Sequence, residues 1–252
     1  MGGQMVVAFS ASRNLYPWLP MAYESLLEHN PQARVELFIE DGELPYAVPE
    51  GVRCHDVSGQ GFFDETCANW KTAFTYLSLI RVCYTKLLPE CERVISMDVD
   101  TITCESLQPI WDIDFSGGEY FAAVPEHLSQ WKPYGSGKYY NAGMVLFNLK
   151  AMREEGADDR LIAFLTREKV PYIDQDAINW LNGEMGGRKA LDLGIRYNEC
   201  FVTGESLRPA VVHAAGEKRW WENLEERYRG RYWEKYQGYC QAEACRKKGI
   251  RF

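Results

Sequence analysis

The chain has 252 residues, 46% of them hydrophobic, enough to bury the core of one large α/β domain or two small ones. Its net charge of −8 argues against a nucleic-acid binder held by phosphate contacts. The charge is uneven: ten Lys and Arg against five Glu between Lys218 and Phe252 make that stretch +5 and leave −13 elsewhere.

The opening residues, Met1 to Phe9, show no basic stretch followed by a long apolar run, so no secretory signal is expected. Val6 to Phe9 reads as a first strand, followed by the small polar turn Ser10-Ala11-Ser12-Arg13-Asn14. Pro20 to Asn30 reads as a helix stopped by Pro31, and Val35 to Glu40 as a second strand. A Gly- and Pro-containing loop runs from Asp41 to Gly51. Ala68 to Leu88 reads as one long helix ending before Pro89, and Arg93 to Met97 as a buried strand. Phe121 to Val124 is a further strand, then a loop to Lys138, then a strand from Met144 to Leu149. Helices are expected at Ala157 to Arg167 and Gln175 to Leu181, and a last short strand at Val211 to His213. This strand–helix alternation predicts an α/β fold with a mostly parallel central sheet covered on both faces.

No window approaches the roughly 18–20 apolar residues of a membrane span. The eight cysteines include no CxxC pair and read as reduced thiols, which makes a cytoplasmic protein the default. No internal repeat or low-complexity linker divides the chain. The simplest organisation is one domain over residues 1–217 with a helical C-terminal extension over 218–252.

Four short segments carry the chemistry. Asp98-Val99-Asp100 leaves the apolar strand end, where open α/β sheets bind ligands. Two carboxylates there repel each other unless a cation or proton intervenes, and they can share a divalent ion through oxygen. A distant histidine can complete such a site, a pattern that points to a metal-bound phosphate ester such as a nucleotide-sugar. An isolated D-x-D is also common as an ordinary strand end. His213 closes a short apolar run and precedes Ala214-Ala215-Gly216 and the cations Lys218 and Arg219. It reads as a packed histidine or as a metal ligand, with the cations available to a diphosphate. Asn141-Ala142-Gly143 reads as a turn or as an amide aimed at sugar hydroxyls. Asp174-Gln175-Asp176 reads as a helix N-terminus, with or without polar side chains in a pocket. Trp220, Trp221, Tyr228, Tyr232 and Trp233 interleave with basic residues and suit helix packing or contact with anionic lipid.

Taken in order, these segments resemble glycosyltransferase family 8, the retaining transferases with a Rossmann-like GT-A fold. The resemblance covers nearly the whole chain, from Val7 to about Trp221. The family's Asp-x-Asp is matched by Asp98 and Asp100, and its arginine seventeen residues earlier by Arg81. Tyr140-Asn141-Ala142-Gly143, Asn148-Leu149, Asp174-Gln175-Asp176-Ala177-Ile178-Asn179 and Tyr197-Asn198 match further family segments. Two segments depart from the pattern. Ser12 stands where an aspartate normally contacts the base, while Asn14 matches. In the last motif Arg219 falls at the family's diphosphate lysine in gap-free register, and Lys218 takes that place with a one-residue shift.

The resemblance implies transfer of glucose or galactose from a UDP-sugar to an acceptor hydroxyl on a saccharide or lipid-linked saccharide, with retention. It implies Mn2+, with Mg2+ as the alternative, held by Asp98, Asp100 and His213. It implies donor binding by Ser10, Ser12, Asn14, Arg81, Asp98, Val99, Asn141, Ala142, Asp174, Gly216, Lys218 and Arg219, with Asp174 and Gln175 at the reacting sugar. No nucleic-acid partner is expected. The basic C-terminal stretch suggests peripheral contact with the inner face of a membrane. Two rivals remain: a non-catalytic nucleotide-sugar or glycan-binding protein on this fold, and a phosphohydrolase using Asp98-Val99-Asp100-Thr101.

Overall fold

The computed structural model describes residues 3–40, 42–72, 75–127, 134–135 and 137–215. Gly216, Lys218, Arg219 and the expected extension over 218–252 lie outside them. The strands are β1 (Val6–Ala11), β2 (Arg34–Ile39), β3 (Val52–Asp56), β4 (Val94–Met97), β5 (Thr101–Thr103), β6 (Phe121–Pro125), β7 (Tyr140–Phe147), β8 (Ala190–Asp192) and β9 (Val211–His213). The helices are α1 (Leu19–His29), α2 (Leu77–Ile80), α3 (Tyr84–Leu87), α4 (Gln108–Trp111), α5 (Leu149–Glu154), α6 (Ala157–Arg167) and α7 (Ile173–Glu184).

Seven strands form one sheet in the order β3-β2-β1-β4-β7-β6-β8. Only β7 runs against its neighbours, so the sheet is mostly parallel, as the strand–helix alternation predicts. Every residue of β4 and β7 is buried, as expected for central strands covered on both faces. The chain proceeds from β1 outward through β2 and β3, then returns to the other side of β1 as β4. That reversal creates a switch point between β1 and β4, where a crevice opens beyond the strand ends. A second sheet pairs β5 with β9 and sets Thr101 opposite His213.

Three expectations are corrected. The stretch from Ala68 to Leu88 is not one helix: among its described residues only Leu77 to Leu87 is helical, as α2, a 3-10 turn at Arg81–Cys83, and α3. Tertiary bonds override helix propensity before that. The Asn69 side chain donates to Leu165 O and Glu168 O at 2.7 Å each and accepts from Val170 N at 3.0 Å. Second, Asn141-Ala142-Gly143 lies inside β7 rather than in a turn before it. Asn148, expected in the strand, instead accepts the Ala151 N–H as the cap of α5. Third, β3, β5 and β8 carry too little apolar signal to be read from sequence; β3 buries only Val52 fully.

Candidate active site

The switch point holds a cavity of about 230 Å³ lined by Ser10 at the end of β1, Asp98, Val99 and Asp100 beyond β4, and Leu15, Trp18 and Arg81. Ser12 is buried and bonds to Asn14 on the 3-10 turn that follows β1.

Backbone pairing brings the metal-type ligands together. The Asp98 N–H donates to Gly143 O at 2.9 Å, continuing the β4–β7 ladder, and Ala214 N–H donates to Asp100 O at 3.0 Å beside the β5–β9 pair. His213 Nε2 then lies 3.4 Å from Asp98 Oδ2 and 3.3 Å from Asp100 Oδ1. One ligand atom from each residue falls within 4.8 Å of the others. The imidazole packs directly over Gly143, where an added Cβ would stand 2.2 Å from His213 Nδ1 and Cε1. Glycine is required there by close approach, not by its backbone angles.

The donor set fits a divalent cation. His213 Nδ1–H donates to Asn198 Oδ1 at 2.9 Å, which leaves Nε2 as the coordinating nitrogen facing both carboxylates. Burial alone would lower the affinity of His213 for a proton, but Asp100 and Asp98 override it and raise the imidazole well above its ordinary range. A divalent ion in the same place satisfies the same two carboxylates. Two oxygens and one imidazole nitrogen suit Mn2+, with Mg2+ as the harder alternative.

Arg81 ties three elements beneath the cavity. Its Nε donates to Ser96 Oγ at 3.0 Å and its Nη1 to Asp98 Oδ1 at 2.5 Å, and Nη2 reaches Ala142 O. The same Nη1 lies 2.9 Å from Asp174 Oδ2. Burial would raise the Asp98 carboxyl, but Arg81 and His213 outweigh it and hold it below the usual range. Asp174 goes the other way. Burial pushes it up to about 6, with Arg81 opposing and Asp98 reinforcing.

Gln175 lies across β7. Its Oε1 accepts the Ala142 N–H at 2.9 Å and its Nε2 donates to Glu126 Oε1 at 3.0 Å. Asn141 Nδ2 donates to the same oxygen at 2.8 Å, while Asn141 Oδ1 accepts from Gly143 N at 2.9 Å and from Asn198 Nδ2 at 2.7 Å. Asp176 turns away from the cavity and accepts from Tyr139 OH and from the Tyr172 N–H.

Asp98, Asp100, His213, Arg81 and Asp174 are thus brought together, with Ser10 and Val99 on the cavity wall and Ala142 and Gln175 joined beside it. Glu126 and Cys200 were not singled out from sequence. Glu126 follows a strand expected to end at Val124, and a lone acid there carries no pattern. Burial would raise the Cys200 thiol, but the adjacent His213 and Thr203 hold it below its ordinary value.

The chain is 27% identical over 194 residues to a Haemophilus influenzae protein provisionally named a glycosyltransferase, covering 69% of this chain and 58% of that one. It is 27% identical over 158 residues to the lipopolysaccharide 1,3-galactosyltransferase of Salmonella typhimurium, covering 58% of this chain and 45% of that one. The chain therefore spans about half the length of the curated relatives it matches. Among solved structures, galactosyltransferase LgtC in complex with donor and acceptor sugar analogs superposes with a TM-score of 0.68 at 20% identity, over 95% of this chain and 96% of that one. The model for glycosyl transferase family 8 matches residues 6–220, and the chain belongs to that family.

Proposed function

We propose that the protein is a retaining hexosyltransferase that moves glucose or galactose from a UDP-sugar to an acceptor hydroxyl, on a glycan or a lipid-linked saccharide. The observation that carries this reading is the convergence of Asp98, Asp100 and His213 at the switch-point cavity that Arg81 lines. Held by those three ligands, Mn2+ or Mg2+ would supply countercharge to the departing diphosphate, where fixed positive charge contributes most. Arg81 holds Asp98 and Asp174 in place beneath the sugar. Ser10, Ser12, Asn14 and Val99 would bind the nucleoside. Asn141, Ala142 and Asp174 would orient the hexose, and Gly216, Lys218 and Arg219 would meet the diphosphate. Gln175 has its carbonyl oxygen committed to a backbone N–H and is a poor nucleophile. The reading is therefore attack by the acceptor on the face the diphosphate leaves, without a covalent intermediate.

The name of the Salmonella relative supports a galactosyl donor, and the LgtC complex with donor and acceptor analogs supports sugar partners. The described residues include no helix long and apolar enough to cross a membrane. We propose a cytoplasmic enzyme; its cationic stretch 218–252 either packs on the domain, the favoured reading, or touches the inner membrane face, and co-sedimentation with anionic against neutral vesicles separates the two.

The deciding experiment is hydrolysis of a panel of UDP-, GDP- and ADP-sugars with Mn2+ and with excess EDTA. Release of UDP with the sugar's anomeric configuration kept, and loss of that release in EDTA, is expected. Binding without turnover of any donor would favour the glycan- or nucleotide-sugar-binding alternative, and phosphate release from simple phosphomonoesters would favour the phosphohydrolase.

A further inference from the structure

The ladder between β6 and β7 loses its register between Ala123 and Pro125. The extra residues are on β7, where Asn141 to Met144 stand against Val124 alone, and such an irregularity re-aims the side chains of the strand that carries it. Facing them from the end of β6 is Glu126, whose own N–H donates to Tyr139 O at 2.8 Å and whose neighbour His127 donates its N–H to Val202 O at 2.9 Å. The backbone is therefore pinned on both sides, and the half-buried carboxylate extends across β7 toward α7. Its Oε1 receives two amide groups at once, Asn141 Nδ2 at 2.8 Å and Gln175 Nε2 at 3.0 Å.

A carboxyl oxygen that receives two amides acts as an acceptor, so both amides turn their NH2 ends toward it. Their carbonyl ends are then assigned as well. Gln175 Oε1 takes the Ala142 N–H, and Asn141 Oδ1 takes the Gly143 N–H and Asn198 Nδ2. Asn198 Oδ1 in turn takes His213 Nδ1–H. One oxygen thus heads a directed chain of hydrogen bonds that runs from the reacting-sugar side of the cavity to the metal-type histidine.

We infer that Glu126 is a positioning residue, whose Oε1 clamps the side-chain amides of Gln175 and Asn141 in one orientation beside the sugar. The inference rests on the transferase reading for its catalytic consequence and on the hydrogen bonds alone for the clamp. It requires the oxygen at that place, and it requires no negative charge and no proton transfer.

Two variants separate place from charge. Glu126→Gln keeps a carbonyl oxygen at the same reach and removes the charge. Glu126→Asp keeps the charge and withdraws the oxygen by one methylene. Turnover of UDP-sugar with Mn2+ should fall by about ten- to a hundredfold in kcat for Glu126→Asp, with donor KM changed by less than about threefold, since small misplacements cost that much. Glu126→Gln should stay within about threefold of the parent kcat, because its carbonyl accepts both amides as before. The reverse order, with Asp active and Gln inactive, would overturn the clamp in favour of a charge or proton role.

A second readout needs no substrate. Exchange of the Gln175 Nε2 and Asn141 Nδ2 hydrogens, followed by NMR on the metal-free protein, should quicken by at least about tenfold in Glu126→Asp and hold in Glu126→Gln, as expected when a buried hydrogen bond is released. Unchanged exchange in Glu126→Asp overturns the inference. If the parent protein turns over no sugar nucleotide, the transferase reading fails while the exchange comparison still decides the clamp.

Discussion

Of the chain's three Asp-x-Asp segments, the fold puts two, Asp98-Val99-Asp100 and Asp174-Gln175-Asp176, to different uses. Asp98 and Asp100 follow a strand, and the turn after β4 leaves both carboxylates on one side, each within 3.4 Å of His213 Nε2. Asp174 and Asp176 sit in the first turn of α7, where two residues are separated by about 200° around the axis at 3.6 residues per turn. They diverge accordingly. Asp174 meets Arg81 at 2.9 Å, and Asp176 meets Tyr139 OH at 2.7 Å. The backbone under the pair, not the pair itself, decides whether two carboxylates make a cation site or part company between site and core.

The comparison breaks first at the strand-borne pair. Asp100→Ala removes one of three convergent ligands and should lower turnover at least ~100-fold, the scale of losing a principal electrostatic group. Gly143→Ala should approach the same loss without touching a ligand. Its new Cβ would stand 2.2 Å from a buried imidazole and force His213 off the shared point. Mn2+ titration followed by electron paramagnetic resonance should show weakened binding in both variants. Full activity of Asp100→Ala in excess EDTA would sink the cation site.

The helix-borne pair is sharpened by pH. Burial raises the Asp174 carboxyl to about 6. Because that folded value lies above an unfolded aspartate, the protonated form favours the fold, and this contribution fades as pH rises through about 6. Activity runs the opposite way, since the carboxylate form is the one that pairs with Arg81. The profile of kcat/KM should therefore fall on the acid side below about 6, and Asp174→Asn should lower activity about tenfold and lose that limb. An acid limb of the same shape in Asp174→Asn would assign it to another group.

The site was legible where a residue type and a strand end coincide. Asp98 and Asp100 follow four buried residues, three of them apolar, and His213 ends another apolar run, and the resemblance of the ordered segments to a known family grouped them. Arg81 was singled out by the resemblance alone, on a segment expected to be one helix; it sits on a 3-10 turn between two short helices, and its partners come from β4, β7 and α7. Glu126 was not legible: its place depends on a three-residue slip in the β6–β7 ladder, and register is a property of paired strands rather than of either sequence. Asn141-Ala142-Gly143 reads from sequence as a turn or as a sugar-binding amide, but neither reading shows that Gly143 serves an imidazole that arrives seventy residues later. Ala68 to Thr75 misled for a similar reason, since the bonds that unwind it come from the end of α6.

The smallest effect is expected at Asp176, and it tests the divergence most directly. Its two oxygens accept from Tyr139 OH at 2.7 Å and from the Tyr172 N–H at 2.8 Å, so both are spent on holding α7 against β7 and on closing the helix start. Asp176→Asn keeps one acceptor and turns an NH2 group toward a donor. A buried mismatch of that kind costs about 1–3 kcal/mol, which in a chain of this size lowers Tm by roughly 3–10 °C. Asp176 bonds to Tyr139 and Tyr172 and contacts none of the three cation ligands directly, so Mn2+ affinity should stay within about twofold of the parent. Thermal unfolding and Mn2+ titration on the same sample give both numbers. A variant that keeps its Tm and loses the metal would show that the second Asp-x-Asp reaches the cation after all, and that the helix does not separate its two carboxylates as the geometry requires.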